Sequence, residues 1–461
     1  MIQPQAREHG SRSSLREVVR EQLRLLLADR NFEGTKALLK PVQPVDIAEA
    51  IEGLPRSMQL TAFRLLSKQE AVEVYEYLNA DIQQSLIEEF RDQEVLDIVD
   101  SMAPDDRADL FDELPPRLVG RILNQLSPDE RENTSLLLGY QAGTAGRLMT
   151  PEYIALSNQL TVSQAAEQVR ALAREREVSY YIYVVDNQER LLGVASLRDL
   201  LLAEPTQSIS EVMNPDVVFT QTRTDQEEVA RLIQRYDLVA LPVVDRDQAM
   251  LGVVTVDDAM DILQAEATED IYTMGAVQSE GDSYFDANLA TVTRKRIPWL
   301  FVLLVTNTLT IFVMQNFEDV LDEVVALAFF TPLLIDAGGN VGAQSSTVVI
   351  RGLSTEELKY RKPIGVVLRE SLAGGLLGIL LGIAVVVLVF VFVGQIEIGL
   401  TVGLSLLFIT ILAAATGAGL PFLFSAMGFD PALMSSPFIT TVVDILGIFV
   451  YLSTAKLLLG L

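Results

Sequence analysis

The spacing of apolar residues changes character near residue 296. Before it, apolar positions recur three or four apart among dense charges, the period of helices with one buried face, interrupted by short strand-like runs. After it, the apolar runs lengthen, and five of them lie near 297–317, 324–350, 364–393, 398–426 and 433–460. A hydrocarbon core of ~30 Å is crossed by ~20 residues rising ~1.5 Å each, so every run is long enough to span a bilayer. The later runs exceed that length and are expected to tilt or kink.

Residues 15–135 read as paired helices carrying an internal repeat. Pro44-Val45-Asp46-Ile47-Ala48, leading to Leu54-Pro55, returns sixty residues later as Pro104-Asp105-Asp106-Arg107-Ala108, leading to Leu114-Pro115. Proline fits the first turn of a helix and stops the one before it, so the repeat predicts a stacked helical superhelix.

A second repeat fills residues 146–264. Leu148-Met149-Thr150-Pro151 recurs as Val212-Met213-Asn214-Pro215. Tyr183-Val184-Val185-Asp186, leading to Gly193 through Asp199, recurs as Pro242-Val243-Val244-Asp245, leading to Gly252 through Asp258. Each copy reads as strand, turn, strand and helix, preceded by a helix such as Val162–Ala173 or Gln226–Tyr236. The Met-x-Pro start, the Val-Val-Asp strand end and the Gly-x-x-Ser/Thr-x-x-Asp step resemble a tandem pair of CBS modules. That resemblance implies a regulatory sensor that often binds adenine nucleotides, with Ser196, Asp199, Thr255 and Asp258 at the positions that usually meet ribose and phosphate.

Charge follows the same division. The net charge is −27. The first 296 residues hold 51 acidic against 29 basic residues, and the rest 11 against 6. An acidic soluble region repels nucleic acid and attracts cations. There is no cysteine, and the single histidine is His9 in a polar tail. Disulfides, thiolate metal sites, histidine-based zinc sites and a Ser-His triad are therefore excluded. No Walker loop or other catalytic constellation is present, so no enzymatic activity is expected. Residues 1–40 lack an apolar segment with a cleavage site, so the N-terminus is expected to stay cytoplasmic. Arg294-Lys295-Arg296 before the first run, and Arg351, Lys359, Arg361 and Lys362 after the second, mark cytoplasmic ends; the acidic 318–323 connection and the loop at Glu397 face outward. Five spans then leave the C-terminus outside.

Polar groups within a span are costly unless they meet water, protein or an ion. The second run carries Asp336-Ala337-Gly338-Gly339-Asn340 through Ser346, whose glycines permit either close helix approach or an unwound stretch. In the fifth, Ser436, Thr440 and Asp444 recur every four residues and share a helix face. Asp444 has no lysine or arginine near it in sequence.

Together these stretches, with Asp257-Asp258 through Ile271, Pro298-Trp299-Leu300 and Asp430-Pro431-Ala432, resemble the MgtE family of magnesium transporters over nearly the whole chain. Ala343 departs from it, standing where some members carry a polar amide. The resemblance implies a multidomain, mainly α architecture: an acidic helical N-domain (1–140), CBS modules at 141–205 and 206–268, a connecting amphipathic helix (269–296, its helical part 282–296) and a five-helix transmembrane domain (297–461). It also implies a homodimer in the bacterial inner membrane with a pore on the two-fold axis. Asp444 would face the ion, and Ser436, Thr440, Asn340, Gly338 and Gly339 would line the path. Magnesium would bridge Asp105, Asp106, Asp109, Asp237, Asp257, Asp258, Asp261, Glu266, Glu269 and Asp270 to close the gate, and ATP is a candidate ligand of the CBS pair. Magnesium prefers oxygen ligands and sheds water reluctantly, which suits a carboxylate, hydroxyl and carbonyl lining. The alternatives are a CBS-regulated transporter of cobalt or manganese and a membrane sensor that transports nothing.

Overall fold

The structure is a computed structural model that describes residues 8–89, 96, 98–173, 176, 178–277, 289–355, 357–358, 361–433 and 436–461. It divides into two compact units, Met1–Gln264 and Ala265–Leu461.

The first unit begins as a stack of short helices. Proline opens Pro44–Glu52 and Pro104–Glu113, the two copies of the repeat, and also Pro116–Leu123 and Pro128–Leu138. The helix Lys68–Glu76 starts from a capping box in which Ser67 and Glu70 satisfy each other's backbone amides. Leu23, Ile47, Ile51, Val74 and Tyr75 make a continuous core between the helices. Arg107 is fully buried, and each of its guanidinium nitrogens has an acceptor. Its guanidinium donates to the carbonyls of Val99 (2.7 Å) and Met102 (2.6 Å), to the Glu130 carboxylate (2.7 Å) and to the Thr134 hydroxyl (2.9 Å). This one side chain ties the helix Pro104–Glu113 to Pro128–Leu138.

Two three-stranded sheets follow. In the first, β1 (Tyr153–Ser157) runs parallel to β2 (Val178–Val185), which pairs antiparallel with β3 (Leu191–Ser196). The second repeats this order with β4 (Thr220–Gln221), β5 (Ala240–Val244) and β6 (Met250–Thr255). The helices before the hairpins are Val162–Leu172 and Gln226–Tyr236, as the repeat predicts. The leading parallel strand is an addition to that reading. Its signal in β1 is an alternation that buries Ile154 and Leu156, while two-residue β4 is too short to show one. The repeated Met-x-Pro segments cross-link the modules and hairpins: Thr150 exchanges both backbone hydrogen bonds with Val253, and Asn214 does so with Val194.

In the second unit, five helices are long and apolar enough to cross a membrane among the described residues. The first span lies in Leu289–Gln315; the others are Ala326–Ser354, Pro363–Val393, Ile396–Ala426 and Ser436–Leu459. Each 31-residue helix reaches about 46 Å, well beyond the hydrocarbon core. The fourth span is the centre of the bundle, 61% buried, whereas the first has none of its apolar stretch buried. Residues 282–288 of the expected connecting helix lie outside the described residues. Residues 289–296 form the opening turns of the first span's own helix, and the boundary expected at 268 falls inside the continuous helix Val256–Met274.

Candidate functional site

The second and fifth spans run antiparallel in close contact. Tyr451 donates to the carbonyl of Leu327 at 2.9 Å near one end, while Gly342 lies against Ile439 and Val443 further along. Glycine makes the approach possible. A Cβ at Gly339 would sit 3.2 Å from Thr440 Cγ2 and 3.8 Å from a carboxylate oxygen of Asp444. The polar run of the second span stays helical throughout, so its glycines serve close approach and no unwound stretch is formed.

Helical spacing then sorts the run. Asp336, Gly339 and Asn340, at i, i+3 and i+4, share one face. On the fifth span Thr440 and Asp444, four apart, meet that face. These five residues, with Thr331, Pro332 and Ile335, line a cavity of about 440 Å³. Asp336 lies ten residues into its helix, and Asp444 eight into its own, so both are about 12–15 Å from a helix end. Among the described residues, the side chains of Asp336, Asn340 and Asp444 take part in no hydrogen bond or ion pair. A carboxylate at the centre of a span costs ~2.5–3.5 kcal/mol even on the lenient insertion scale. Two of them on one cavity make a cation-attracting space.

The expected pore residues divide accordingly. Gly339, Asn340, Thr440 and Asp444 line the cavity. Gly338 does not: a Cβ there would meet Ile409 at 2.6 Å and Val443 at 3.2 Å, so this glycine packs against the fourth and fifth spans. Its position two residues from Asp336 turns it away from that face. Ser436 opens the fifth helix and is not part of the cavity wall. Ser345 and Ser346 are turned into the bundle, 6% and 2% exposed. Sequence reading quoted Asp336 only as part of a polar cluster and missed Thr331 and Pro332. The four-residue step from Asp336 to Asn340 is the signal that places Asp336 on the cavity face.

The acids expected to bind regulatory magnesium are dispersed. Asp105 and Asp106 occupy the first turn of Pro104–Glu113, with Asp105 buried and Asp109 exposed. Asp237 is the left-handed C-cap (φ 51°) of Gln226–Tyr236. Asp257, Asp258, Asp261, Glu266, Glu269 and Asp270 lie along Val256–Met274. One pair comes together across modules. Burial, and then the nearby charge of Asp257, holds the Asp106 carboxyl above the usual carboxylate range. The same helix is latched by Arg147, which contacts Asp112 at 2.7 Å and donates to the Ala108 carbonyl at 2.9 Å. Among the described residues no three carboxylates or histidines converge on a metal position.

The residues expected to meet nucleotide pair with each other locally. The Ser196 hydroxyl donates to Asp199 at 2.6 Å and accepts from its amide at 3.1 Å, which keeps the Asp199 carboxyl below its ordinary range. At the matching step of the second module, the Thr255 hydroxyl donates to the Asp258 carboxylate at 2.5 Å. In the first module the Ser-x-x-Asp step is thus first a capping box.

Comparison with known proteins matches this organisation segment by segment. The MgtE family of divalent cation transporters matches residues 331–454, the MgtE intracellular N domain residues 42–143, and the CBS domain residues 145–205 and 209–265. The magnesium transporter MgtE of Bacillus subtilis is 32% identical over 431 residues, 94% of this chain and 95% of that one. The magnesium transporter MgtE of Thermus thermophilus is 45% identical over 323 residues, 70% and 72% of the two chains. Among solved structures, the cytosolic domain of the Mg2+ channel MgtE in complex with ATP superposes with a TM-score of 0.51 at 36% identity, covering 53% of this chain and 99% of that one. With its N domain, its CBS pair and its five candidate spans, the chain belongs to the MgtE family of magnesium transporters.

Proposed function

We propose that the chain imports Mg2+ across the bacterial inner membrane along a path lined by Asp444, and that cytoplasmic Mg2+ closes this path through the acidic first unit. The observation that carries the reading is the cavity between the second and fifth spans, where Asp336 and Asp444 stand at membrane depth without a cationic partner. Magnesium favours octahedral oxygen coordination and retains several waters. A wall of two carboxylates, an amide and two hydroxyls suits a largely hydrated ion. The first span, exposed along its apolar stretch and displaying Leu300, Phe301 and Leu304, has surface to give to lipid and to a second protomer. A homodimer would set two copies of Asp444 toward one ion, whose charge would relieve their repulsion. The basic flanks of the first span and of the second-to-third connection favour a cytoplasmic N-terminus and an external C-terminus.

The regulatory reading rests on Asp106 and Asp257. Burial and then the nearby charge of Asp257 disfavour the ionised form of half-buried Asp106, and a cation beside it would offset both. Water, or acids of a second protomer, would complete the shell. Magnesium bound more tightly by the compact arrangement would shift the population toward it. ATP as a CBS ligand is supported by the likeness to a cytosolic domain crystallised with it.

The test is growth of a magnesium-auxotrophic host in low magnesium. The chain is expected to rescue growth and the Asp444→Ala variant to fail while still reaching the membrane. Rescue by cobalt or manganese supply alone would favour the alternative cargo, and no rescue at all would leave a sensor without transport.

A further inference from the structure

Four of the six basic residues beyond Ile297 line a single cavity of about 690 Å³: Arg351, Arg361, Lys362 and Arg369. Arg351 lies in the last turn of the second span's helix, and Lys362 is the N-cap of the third span's helix, with Arg369 two turns further on. The cavity also holds Glu357 and Glu370, so four positive charges face two negative ones. Among the described residues, none of the four cations makes an ion pair or a side-chain hydrogen bond. Basic groups gathered at the end of two membrane helices repel one another until an anion joins them. Arginine forks match the geometry of a phosphate in particular.

The surroundings choose between kinds of anion. Val348 in the cavity wall is 61% exposed. From the cavity along the third span, Ile364, Leu368 and Leu372 stand four apart, 73%, 60% and 64% exposed. A free phosphate would use only the cations, whereas a phospholipid would use both the cations and this ridge. Basic pockets between spans at the membrane surface suit anionic headgroups. We propose that this cavity binds the phosphate of an anionic phospholipid, whose acyl chains lie along the Ile364, Leu368 and Leu372 ridge.

The test uses the full chain in nanodiscs of phosphatidylcholine, with and without phosphatidylglycerol. Melting midpoints are read in the discs, and lipid retained after extraction is read by native mass spectrometry. Wild type should retain phosphatidylglycerol in preference to phosphatidylcholine and melt higher in its presence. The Arg361→Gln/Arg369→Gln pair should bind phosphatidylglycerol roughly 30-fold more weakly, about fivefold per cation, with its midpoint in phosphatidylcholine unchanged. Arg361→Lys/Arg369→Lys should keep most of the preference. Competition between the two lipids on wild type alone reads the same preference without any variant. Equal retention of both lipids by wild type, or undiminished phosphatidylglycerol binding by the glutamine pair, would overturn the proposal. Inorganic phosphate reproducing the whole midpoint shift in phosphatidylcholine discs would overturn the lipid assignment and leave a site for free anions.

Discussion

Asp112 and Asp444 are both helical aspartates, but the molecule treats them in opposite ways. Asp112 sits at the water-exposed end of its helix and still has Arg147 at 2.7 Å; Glu130 likewise has Arg107 at 2.7 Å. Asp444 lies at membrane depth beside Asp336, and no cation comes near either among the described residues. Where desolvation is cheap, the charges are neutralised by the chain itself; where it is costly, they are left open. Such an inversion has no structural benefit, and it is what supports the proposed ion path. Asp106 and Asp257 are the intermediate case, like charges brought together in the soluble unit.

The largest effect that would sharpen this contrast is on the neutralised side. Arg107→Ala removes the fully buried cation and strands Glu130 and two carbonyls, so the first unit should lose ~3–5 kcal/mol. Chemical denaturation of the full chain reads this, and a loss below ~1 kcal/mol would show that the network contributes little. Next comes the open side. Gly339→Leu would press a side chain against Thr440 and Asp444 and should cost ~1–3 kcal/mol by overpacking while blocking magnesium uptake in cells; uptake at the wild-type rate would mean that the cavity is not on the ion path. Added magnesium should slow proteolytic cleavage of the soluble region, and Asp257→Ala should weaken this protection. Protection unaffected by the substitution would separate Asp106 and Asp257 from any gate.

The smallest effect concerns pH. Burial and then Asp257 raise the carboxyl of Asp106. A raised carboxylate contributes stability below its unfolded pKa of about 3.9 and loses it as pH rises through the folded value. Asp106→Asn should therefore gain on wild type in melting midpoint from about pH 4 toward neutrality, without magnesium. A constant difference across that range would contradict the assigned cause.

Much of this architecture is legible in the residues. Five long apolar runs give the spans, and the Pro44/Pro104 and Met149/Met213 repeats give the two soluble modules. The helix faces of Asp336/Asn340 and Thr440/Asp444 follow from spacing alone. Other features depend on packing that spacing does not encode. Gly338 and Gly339 are adjacent, yet only the rotation of the second span sends Gly339 to the cavity and Gly338 into Ile409. The capping role of Ser196 shares a pattern with nucleotide contacts, so the sequence alone weighs both. The meeting of Asp106 with Asp257 joins positions 151 residues apart and comes only from the docking of Pro104–Glu113 against the CBS modules.

The central claim is that an unneutralised carboxylate within the membrane carries the ion. It is tested most directly by magnesium flux into vesicles holding the purified full chain, wild type against Asp444→Ala, with matched melting midpoints as the check on folding. The account predicts that flux falls to the level of empty vesicles in the variant. Wild-type flux from a folded Asp444→Ala protein would contradict it.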